Sequence, residues 1–197
     1  MRNRLLCLVC LALLPAFSFA QQKAPPAQRG QTQALDIPSI CEGIDANLLK
    51  MDNCGFETGD FSEWFIEGDT TYTYVGSAAE VNSGSFGAGL GPVGDSDSVI
   101  HTVPATEGQT FHIEFWLANL VGGSGTFFDA DFSQTTLMQL IDADPSEYTL
   151  YTFGPIPGHP NPEGFTQVVF FVRHDPDYWF LDDVDVELSN ASPQHDE

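Results

Sequence analysis

The chain has 197 residues, of which 6 are Lys or Arg and 28 are Asp or Glu, so its formal net charge at pH 7 is −22. Such an acidic surface repels phosphate backbones and anionic lipid headgroups, which excludes nucleic-acid binding and argues against membrane insertion. It favours cations and neutral partners instead.

The first twenty residues predict a secretory signal peptide. Two arginines, Arg2 and Arg4, precede an apolar run over 5–17, and Ser-Phe-Ala at 18–20 is a small-residue cleavage site. The run is too short to span a bilayer as a helix. We therefore expect cleavage near Ala20 and a mature protein that is secreted or periplasmic.

The remainder divides into three parts by composition. Residues 21–38 are rich in Gln, Pro and Ala without apolar periodicity, which predicts a disordered leader. Residues 39–188 are enough for one folded domain with its own core. Residues 189–197 form a polar tail.

Two of the four cysteines remain after the signal peptide is removed, Cys41 and Cys54. An exported chain with two cysteines usually pairs them. A disulfide closing a loop of this size stabilises the fold by roughly 3 kcal/mol in the chain-entropy model.

Residues 53–64, which we call the aromatic clasp, are rich in turn formers. Gly55 and Gly59 permit tight turns, so the segment can direct three aromatic side chains into one core: Phe56, Phe61 and Trp64. Between them lies Glu57, which is either a carboxylate held at a fixed place or a surface glutamate on a turn.

Short apolar runs separated by Gly, Pro, Asn and Asp predict a single all-β domain, an antiparallel β-sandwich of the jelly-roll type. The predicted strands are 48–51, 62–66, 71–78, 85–90, 98–103, 110–119, 126–132, 148–153, 165–173 and 178–188. Residues 136–144 form either a further strand or a helical turn before Pro145.

The strand at 110–119 alternates clearly between two faces. One face carries Phe111, Ile113, Phe115 and Leu117, which we assign to the core, and the other carries His112, Glu114 and Trp116. An indole beside a carboxylate and an imidazole suits a sugar ring, which stacks on the aromatic face and hydrogen-bonds through its hydroxyls. Alternatively, the loop at 122–125 covers Trp116.

Three further aromatic residues are candidates for ligand binding. Tyr72 and Tyr74 follow Gly68 and form either an aromatic platform or ordinary cross-strand packing. Trp179 is expected to be exposed near the end of the last strand.

The last two strands differ in pattern. Residues 165–173 are apolar on both faces, which predicts a central strand covered on both sides. In the last strand, Val184 and Val186 share a parity with Asp182, so Asp182 should also point inward. A buried carboxylate needs a partner, which would be Arg173 or a calcium ion.

Two motifs carry a resemblance to a known family. The first is Asn-Cys-Gly-Phe-Glu at 53–57, followed by Gly59 and Trp64; the second is Tyr-Trp-Phe-Leu-Asp-Asp-Val-Asp-Val at 178–186. They resemble the paired signatures of galactose-binding-like jelly rolls, in particular carbohydrate-binding modules of the family 4, 9 and 22 type. The resemblance covers about residues 39–188. It implies glycan binding without catalysis, and a structural calcium held by Glu57 and Asp182, with backbone oxygens near Asn53 and Ser85.

Enzymatic patterns are weak in this sequence. The histidines are scattered rather than spaced for zinc, and no Gly-x-Ser-x-Gly motif is present. We therefore predict a secreted, non-catalytic, monomeric protein whose partner is a polysaccharide or other glycan. The alternatives are a structural or adhesive module of the envelope or extracellular matrix without a sugar site and, third, a glycoside hydrolase, which would need a carboxylate pair.

Overall fold

The computed structural model describes Cys41 and residues 51–94, 96–175 and 177–189, all within one compact unit, Asp36–Glu197. The predicted signal peptide and leader, residues 48–50 of the first predicted strand and residues 190–197 of the tail lie outside the described residues. Within the described residues, no helix is long and apolar enough to cross a membrane.

The described fold consists of ten strands and one 3-10 helix, Thr70–Tyr72. The strands are β1 Trp64–Gly68, β2 Thr73–Gly76, β3 Gly87–Leu90, β4 Asp97–Pro104, β5 Thr110–Asn119, β6 Phe127–Phe132, β7 Thr135–Ile141, β8 Ser146–Pro157, β9 Phe165–Arg173 and β10 Trp179–Leu188. The segment predicted as a strand or a helical turn is therefore a strand, β7. Tyr72, predicted on a strand, lies in the 3-10 helix.

The strands form two five-stranded sheets, which we name by their central strands. The β9 sheet has the order β1-β4-β9-β6-β7, and the β10 sheet has the order β2-β3-β10-β5-β8. Every pairing between neighbouring strands is antiparallel. The predicted all-β sandwich is confirmed.

The core lies between the two sheets and is rich in aromatic side chains. Phe115 of β5 meets Phe170 of β9 edge to face, with ring centroids 5.1 Å apart, and Phe128 of β6 meets Trp179 of β10 at 5.3 Å. The alternation predicted for β5 is correct, since Phe111, Ile113, Phe115 and Leu117 are all buried. Burial of each such side chain contributes about 1.5–3 kcal/mol, which holds the sheets face to face.

The aromatic clasp packs against one end of this core. Phe56 stacks on Trp64 with centroids 5.1 Å apart and meets Phe61 edge to face at 5.8 Å. The predicted disulfide between Cys41 and Cys54 is present, with Cα atoms 6.2 Å apart. The clasp is therefore held both by a disulfide bond and by packing of its aromatic side chains.

A β-bulge in β10 changes which side chains point into the core. Asp182 pairs with Trp116 and Asp185 pairs with Glu114, so β10 contains one residue more than β5 over this stretch. Asp183 lies in the left-handed region, with φ of 50°. The amide of Val184 donates to the carbonyl oxygen of Cys54 at 2.9 Å, which ties the bulge to the clasp.

The bulge overturns two expectations about β10. Asp182 is fully buried, as expected, but it lies opposite Trp116 on the outer face of the sheet, because the parity of Val184 does not extend past the bulge. Trp179 is not exposed: it pairs with Leu90, is fully buried, and donates its indole N–H to the carbonyl oxygen of Arg173 at 3.2 Å. Trp179 is therefore a core residue and not a ligand-binding one.

The central strand β9 is covered on one face only, contrary to the expectation that both faces would be buried. Val168, Phe170 and Val172 are buried in the core. Phe165 and Phe171, on the other face, are 40% and 39% exposed. The apolar side chains on the second face of β9 therefore form an exposed aromatic surface and are not covered by another layer of the structure.

Candidate binding face

Most of the predicted ligand-binding residues lie on the outer face of the β10 sheet, which we call the binding face. Trp116 lies opposite Asp182 on one side and Leu150 on the other, so these three side chains share this face. Trp116 and Glu114 are half-buried, and His112 is exposed. The outward orientation predicted for His112, Glu114 and Trp116 is correct, and Trp116 is not a core residue.

Three glycines at alternate positions, Gly87 and Gly89 in β3 and Gly91 just after it, leave part of the binding face without side chains. A Cβ atom on Gly89 would lie 2.8 Å from the ring of Tyr74, and one on Gly91 would lie 2.5 Å from the ring of Tyr178. Such distances are too short for any real side chain, so glycine is required for both rings to lie directly on the strand. The rings of Tyr74 and Tyr178 meet edge to face, with centroids 5.4 Å apart.

A cleft of about 250 Å³, which we call the tyrosine cleft, opens beside these glycines. Its lining residues are Tyr72, Gly91, Val93, Asp177 and Tyr178. Tyr72 is 48% exposed. Sequence reasoning selected Tyr72 and Tyr74 but missed Tyr178; the available signal was Gly-Ala-Gly-Leu-Gly at 87–91, in which every second position has no side chain.

The segment of residues 77–86, which we call the cross-face segment, contacts both Tyr74 and Asp182 on the binding face. The Glu80 carboxylate accepts hydrogen bonds from the Tyr74 hydroxyl at 2.6 Å and from the Ala78 amide at 2.9 Å. The Glu80 carbonyl oxygen accepts one from the Tyr148 hydroxyl. Burial raises the pKa of both phenols, so both remain donors at neutral pH. A side chain at Gly87 would overlap the Glu80 carbonyl, so the segment lies directly on β3.

Asp182 anchors the middle of the cross-face segment. Its carboxylate accepts hydrogen bonds from the amides of Asn82 at 2.7 Å and Ser83 at 3.1 Å, and from the amide of Asp183 at 2.8 Å. Burial, followed by the negative charge of Asp183, raises the pKa of Asp182 to about 8. Arg173, the alternative partner expected for Asp182, instead pairs with Asp175 at 2.9 Å.

Glu57 holds the end of the same segment. Its carboxylate accepts hydrogen bonds from the amides of Ser85 at 2.9 Å and Phe86 at 3.0 Å, and a Cβ atom on Gly84 would overlap it. Glu57 in the aromatic clasp and Asp182 in β10 thus hold one five-residue stretch, 82–86, by hydrogen bonds to its backbone amides. The carbonyl oxygen of Asn53 already accepts from Phe56 and from the Trp64 indole, so it offers little to a metal.

The donor chemistry at this stretch suits a hard cation. Carboxylate and backbone oxygens are the ligands that calcium prefers. Because Gly84 has no side chain, the backbone of this stretch can lie directly against the Glu57 carboxylate. The described residues contain no cluster of three or more His, Cys, Asp or Glu side chains arranged for a metal. Most ligands of a calcium ion here would therefore have to be backbone oxygens.

An acidic group lies beside Trp116 on the binding face. Asp185 is 4% exposed, and its Oδ1 has no hydrogen-bond partner among the described residues. It pairs across the sheet with Glu114 and is two residues from Glu187. Burial, followed by the charge of Glu187 and then that of Glu114, raises the pKa of Asp185 to about 8.

Comparison with solved structures finds this fold in several proteins. TmCBM61, solved in complex with β-1,4-galactotriose, has a TM-score of 0.56 and 21% identity over 72% of this chain and 99% of its own. The C-terminal family 22 carbohydrate-binding module of Clostridium thermocellum Xyn10B has a TM-score of 0.53 and 13% identity over 75% of this chain and 99% of its own. The chain has a carbohydrate-binding-module-like β-sandwich fold.

The fold also occurs within an enzyme. The enzymatically active domain of tailspike protein 4 of bacteriophage CBA120 has a TM-score of 0.51 and 17% identity over 72% of this chain and 21% of its own. No protein-family model matches the sequence, and no curated protein does. The ligand must therefore be inferred from the chain's own residues.

Proposed function

We propose that this protein is a secreted, non-catalytic, monomeric carbohydrate-binding protein that holds a glycan on the binding face. The observation that carries the proposal is the tyrosine cleft, in which the rings of Tyr72 and Tyr178 and the carboxylate of Asp177 line one cleft of about 250 Å³. The disulfide supports an extracytoplasmic location.

The chemistry of the cleft suits a sugar. The C–H groups of a pyranose ring stack on an aromatic face, and its hydroxyls donate to a carboxylate. Tyr178 is held in place for this role because its ring stacks on Phe180, with centroids 6.1 Å apart, and lies over Gly91. A ring fixed by its neighbours loses little conformational entropy when ligand binds.

Trp116 gives a second candidate contact on the same face. It is half-buried, and the half-buried Glu114 and the exposed His112 lie on the same face of β5. The tyrosine cleft is the preferred site because both of its aromatic walls line one concave volume.

The composition of the tyrosine cleft supports binding rather than hydrolysis. Hydrolysis by the usual glycosidase mechanism needs two carboxyl groups that flank the scissile bond. Among the residues that line this cleft, Asp177 is the single acid. Its carboxylate already accepts a hydrogen bond from the Tyr178 amide at 2.9 Å.

A structural calcium held by Glu57 and Asp182 is part of the proposal. Bound there, the ion would supply a positive charge beside the buried carboxyl group of Asp182. The role of the protein side chains is to hold the 82–86 stretch against β10, which keeps the cross-face segment and Tyr74 in position.

A glycan microarray followed by calorimetric titration tests the proposed function. We expect Tyr178→Ala to weaken binding of the selected glycan by about tenfold or more, because it removes one wall of the cleft. Phe65→Ala is the matched control, since Phe65 is 60% exposed on the opposite sheet and should leave affinity unchanged.

Other outcomes would distinguish the alternatives. Absence of glycan binding by the wild-type protein would favour a structural or adhesive module. Turnover of a glycoside would favour a hydrolase. Equal losses in Tyr178→Ala and Phe65→Ala would show that the tyrosine cleft is not the site.

A further inference from the structure

The outer face of the β9 sheet contains a second and larger pocket that the proposed function does not use. Its volume is about 370 Å³, which is within the range of small-ligand sites. The exposed rings of Phe165 and Phe171 contribute to it from β9, and the β6–β7 turn and residues 159–161 supply most of its polar lining.

Two neighbouring carboxyl groups lie on β6, and one of them lines this pocket. Asp129 and Asp131 project from β6 on the outer face, opposite Phe171 and Val169, and Asp131 lines the pocket. The Oδ1 atom of each is buried without a hydrogen-bond partner among the described residues. The side-chain amide of Gln139 donates to the other oxygen of Asp129 at 3.0 Å. Burial, together with the charge of Asp131, raises the pKa of Asp129.

Neither carboxyl group is paired with a lysine or arginine of the described residues. Arg173 is the single Lys or Arg among the described residues, and its guanidinium is bound to Asp175 at 2.9 Å. Neither Asp129 nor Asp131 therefore has an ion pair with a lysine or arginine of the described fold. A ligand that brings a positive charge would gain from both carboxyl groups.

The rest of the lining is suited to hydroxyl groups. Side-chain amides of Gln134, Asn161 and Gln167 line the pocket and provide both donors and acceptors. Ser133 and Gln134 form the two-residue β6–β7 turn, with φ of 51° and 68°, positions where Asn or Gly is usual. The hydroxyl of Ser133 accepts a hydrogen bond from the His159 amide at 2.5 Å, which joins the turn to the opposite wall.

We propose that this pocket binds an amino sugar with a protonated amine. The ammonium group lies against Asp131 and is attracted also by the neighbouring Asp129, the pyranose ring lies against Phe171, and the hydroxyls bond to the side-chain amides. A Lys or Arg side chain would use the carboxyl groups but would make no use of the side-chain amide N–H groups of Gln134, Asn161 and Gln167. A neutral sugar would use the amides but would leave the carboxyl pair uncompensated.

Calorimetric titration with a glucosamine hexamer and with the matched N-acetylglucosamine hexamer tests this proposal. The free-amine hexamer should bind at least about tenfold more tightly, because acetylation removes the charge. Asp131→Asn and Phe171→Ala should each weaken its binding by about tenfold, while both variants keep the wild-type melting temperature within a few degrees.

A charge-matched control separates recognition from general attraction to an acidic protein. Glu67 is exposed on the same sheet face, on β1, and does not line the pocket, so Glu67→Gln removes the same charge as Asp131→Asn. Binding should be unchanged in Glu67→Gln and also in Tyr178→Ala, which tests the other face. Equal weakening by Glu67→Gln and Asp131→Asn, or equal affinity for the two hexamers, would overturn the proposal.

Discussion

Replacement of Asp185 by asparagine is expected to stabilise the fold at neutral pH. Asp185 is 4% exposed, its Oδ1 lacks a hydrogen-bond partner among the described residues, and its surroundings include Glu114 and Glu187. Asparagine has nearly the same shape, carries no charge, and has two N–H groups that can donate to those glutamates. The substitution therefore replaces a carboxyl group that must take up a proton on folding by a neutral side chain that can keep the hydrogen bond to Glu187.

The size of the effect follows from the proton equilibrium of Asp185. Its pKa is about 8 in the folded state, against roughly 3.9 for an unfolded aspartate. Between these values the unfolded chain releases a proton that the folded chain retains, so the free energy of unfolding falls by about 1.4 kcal/mol per pH unit as the pH rises. At pH 7 the loss reaches about 4 kcal/mol as an upper bound. Solvent around half-buried Glu187 screens part of it, so we expect Asp185→Asn to gain about 2 kcal/mol.

Urea denaturation followed by tryptophan fluorescence at several pH values measures this gain. The gain should be largest near pH 8, shrink as the pH falls, and vanish well below about pH 4, where Asp185 is protonated in both states of the wild type. Glu107→Gln is the control, because Glu107 is an exposed turn residue and its substitution removes one charge. An unfolding free energy at pH 7 equal to or below that of the wild type would refute the reasoning.

Three further predictions concern stability. Replacement of Cys41 and Cys54 by alanine should lower the free energy of unfolding by about 2–4 kcal/mol. The unfolded exported protein, from which Cys7 and Cys10 are removed with the signal peptide, should show no thiol reactive with Ellman's reagent in the absence of reductant. Chelation should lower the melting temperature and added calcium should restore it, with a stabilisation of about 2.7 kcal/mol when calcium is at a hundredfold excess over its Kd. Asp182→Asn should abolish this response to calcium. A melting temperature that is the same in metal-free and calcium-loaded protein would exclude the site. Trp179→Ala should cost about 3–5 kcal/mol in chemical denaturation because Trp179 is fully buried, and a cost below about 1 kcal/mol would contradict that placement.

Strand alternation was readable from the sequence wherever the pleat is regular. In β5 the core residues Phe111 to Leu117 and the outward residues His112 to Trp116 fall on the faces that their spacing predicts. Local patterning is enough there, because each residue's face depends only on its neighbours in the same strand. The fold class and the aromatic clasp were predicted on the same basis.

The sequence did not predict which side chains of β10 face the core, because the extra residue in the bulge exchanges the inward and outward positions on one side of it. Counting in twos from Val184 places Asp182 inward and Trp179 outward, and the bulge at Asp183 makes both assignments wrong. Period-two reasoning cannot detect a bulge that is stabilised from outside the strand, here by the carbonyl oxygen of Cys54.

The outer face of β9 was missed for a different reason. Apolar residues on both faces of a strand are consistent with burial on both sides or with an exposed aromatic surface. Phe165 and Phe171 belong to the second case, and composition alone does not distinguish the two. The tyrosine cleft was only half predicted, since its second wall, Tyr178, lies about a hundred residues from Tyr72 in sequence.

The alternate glycines of β3 define which positions of the binding face can be diversified by directed evolution. Tyr72 and Val93 are exposed at the cleft rim, so randomised codons there would sample new ligand shapes without disturbing the sheet. Codons for Gly87 and Gly89 should stay fixed, because a side chain at either position meets the Glu80 backbone or the Tyr74 ring. Selection for new specificity would therefore enrich changes at the rim, while the strand beneath would remain invariant across the selected clones.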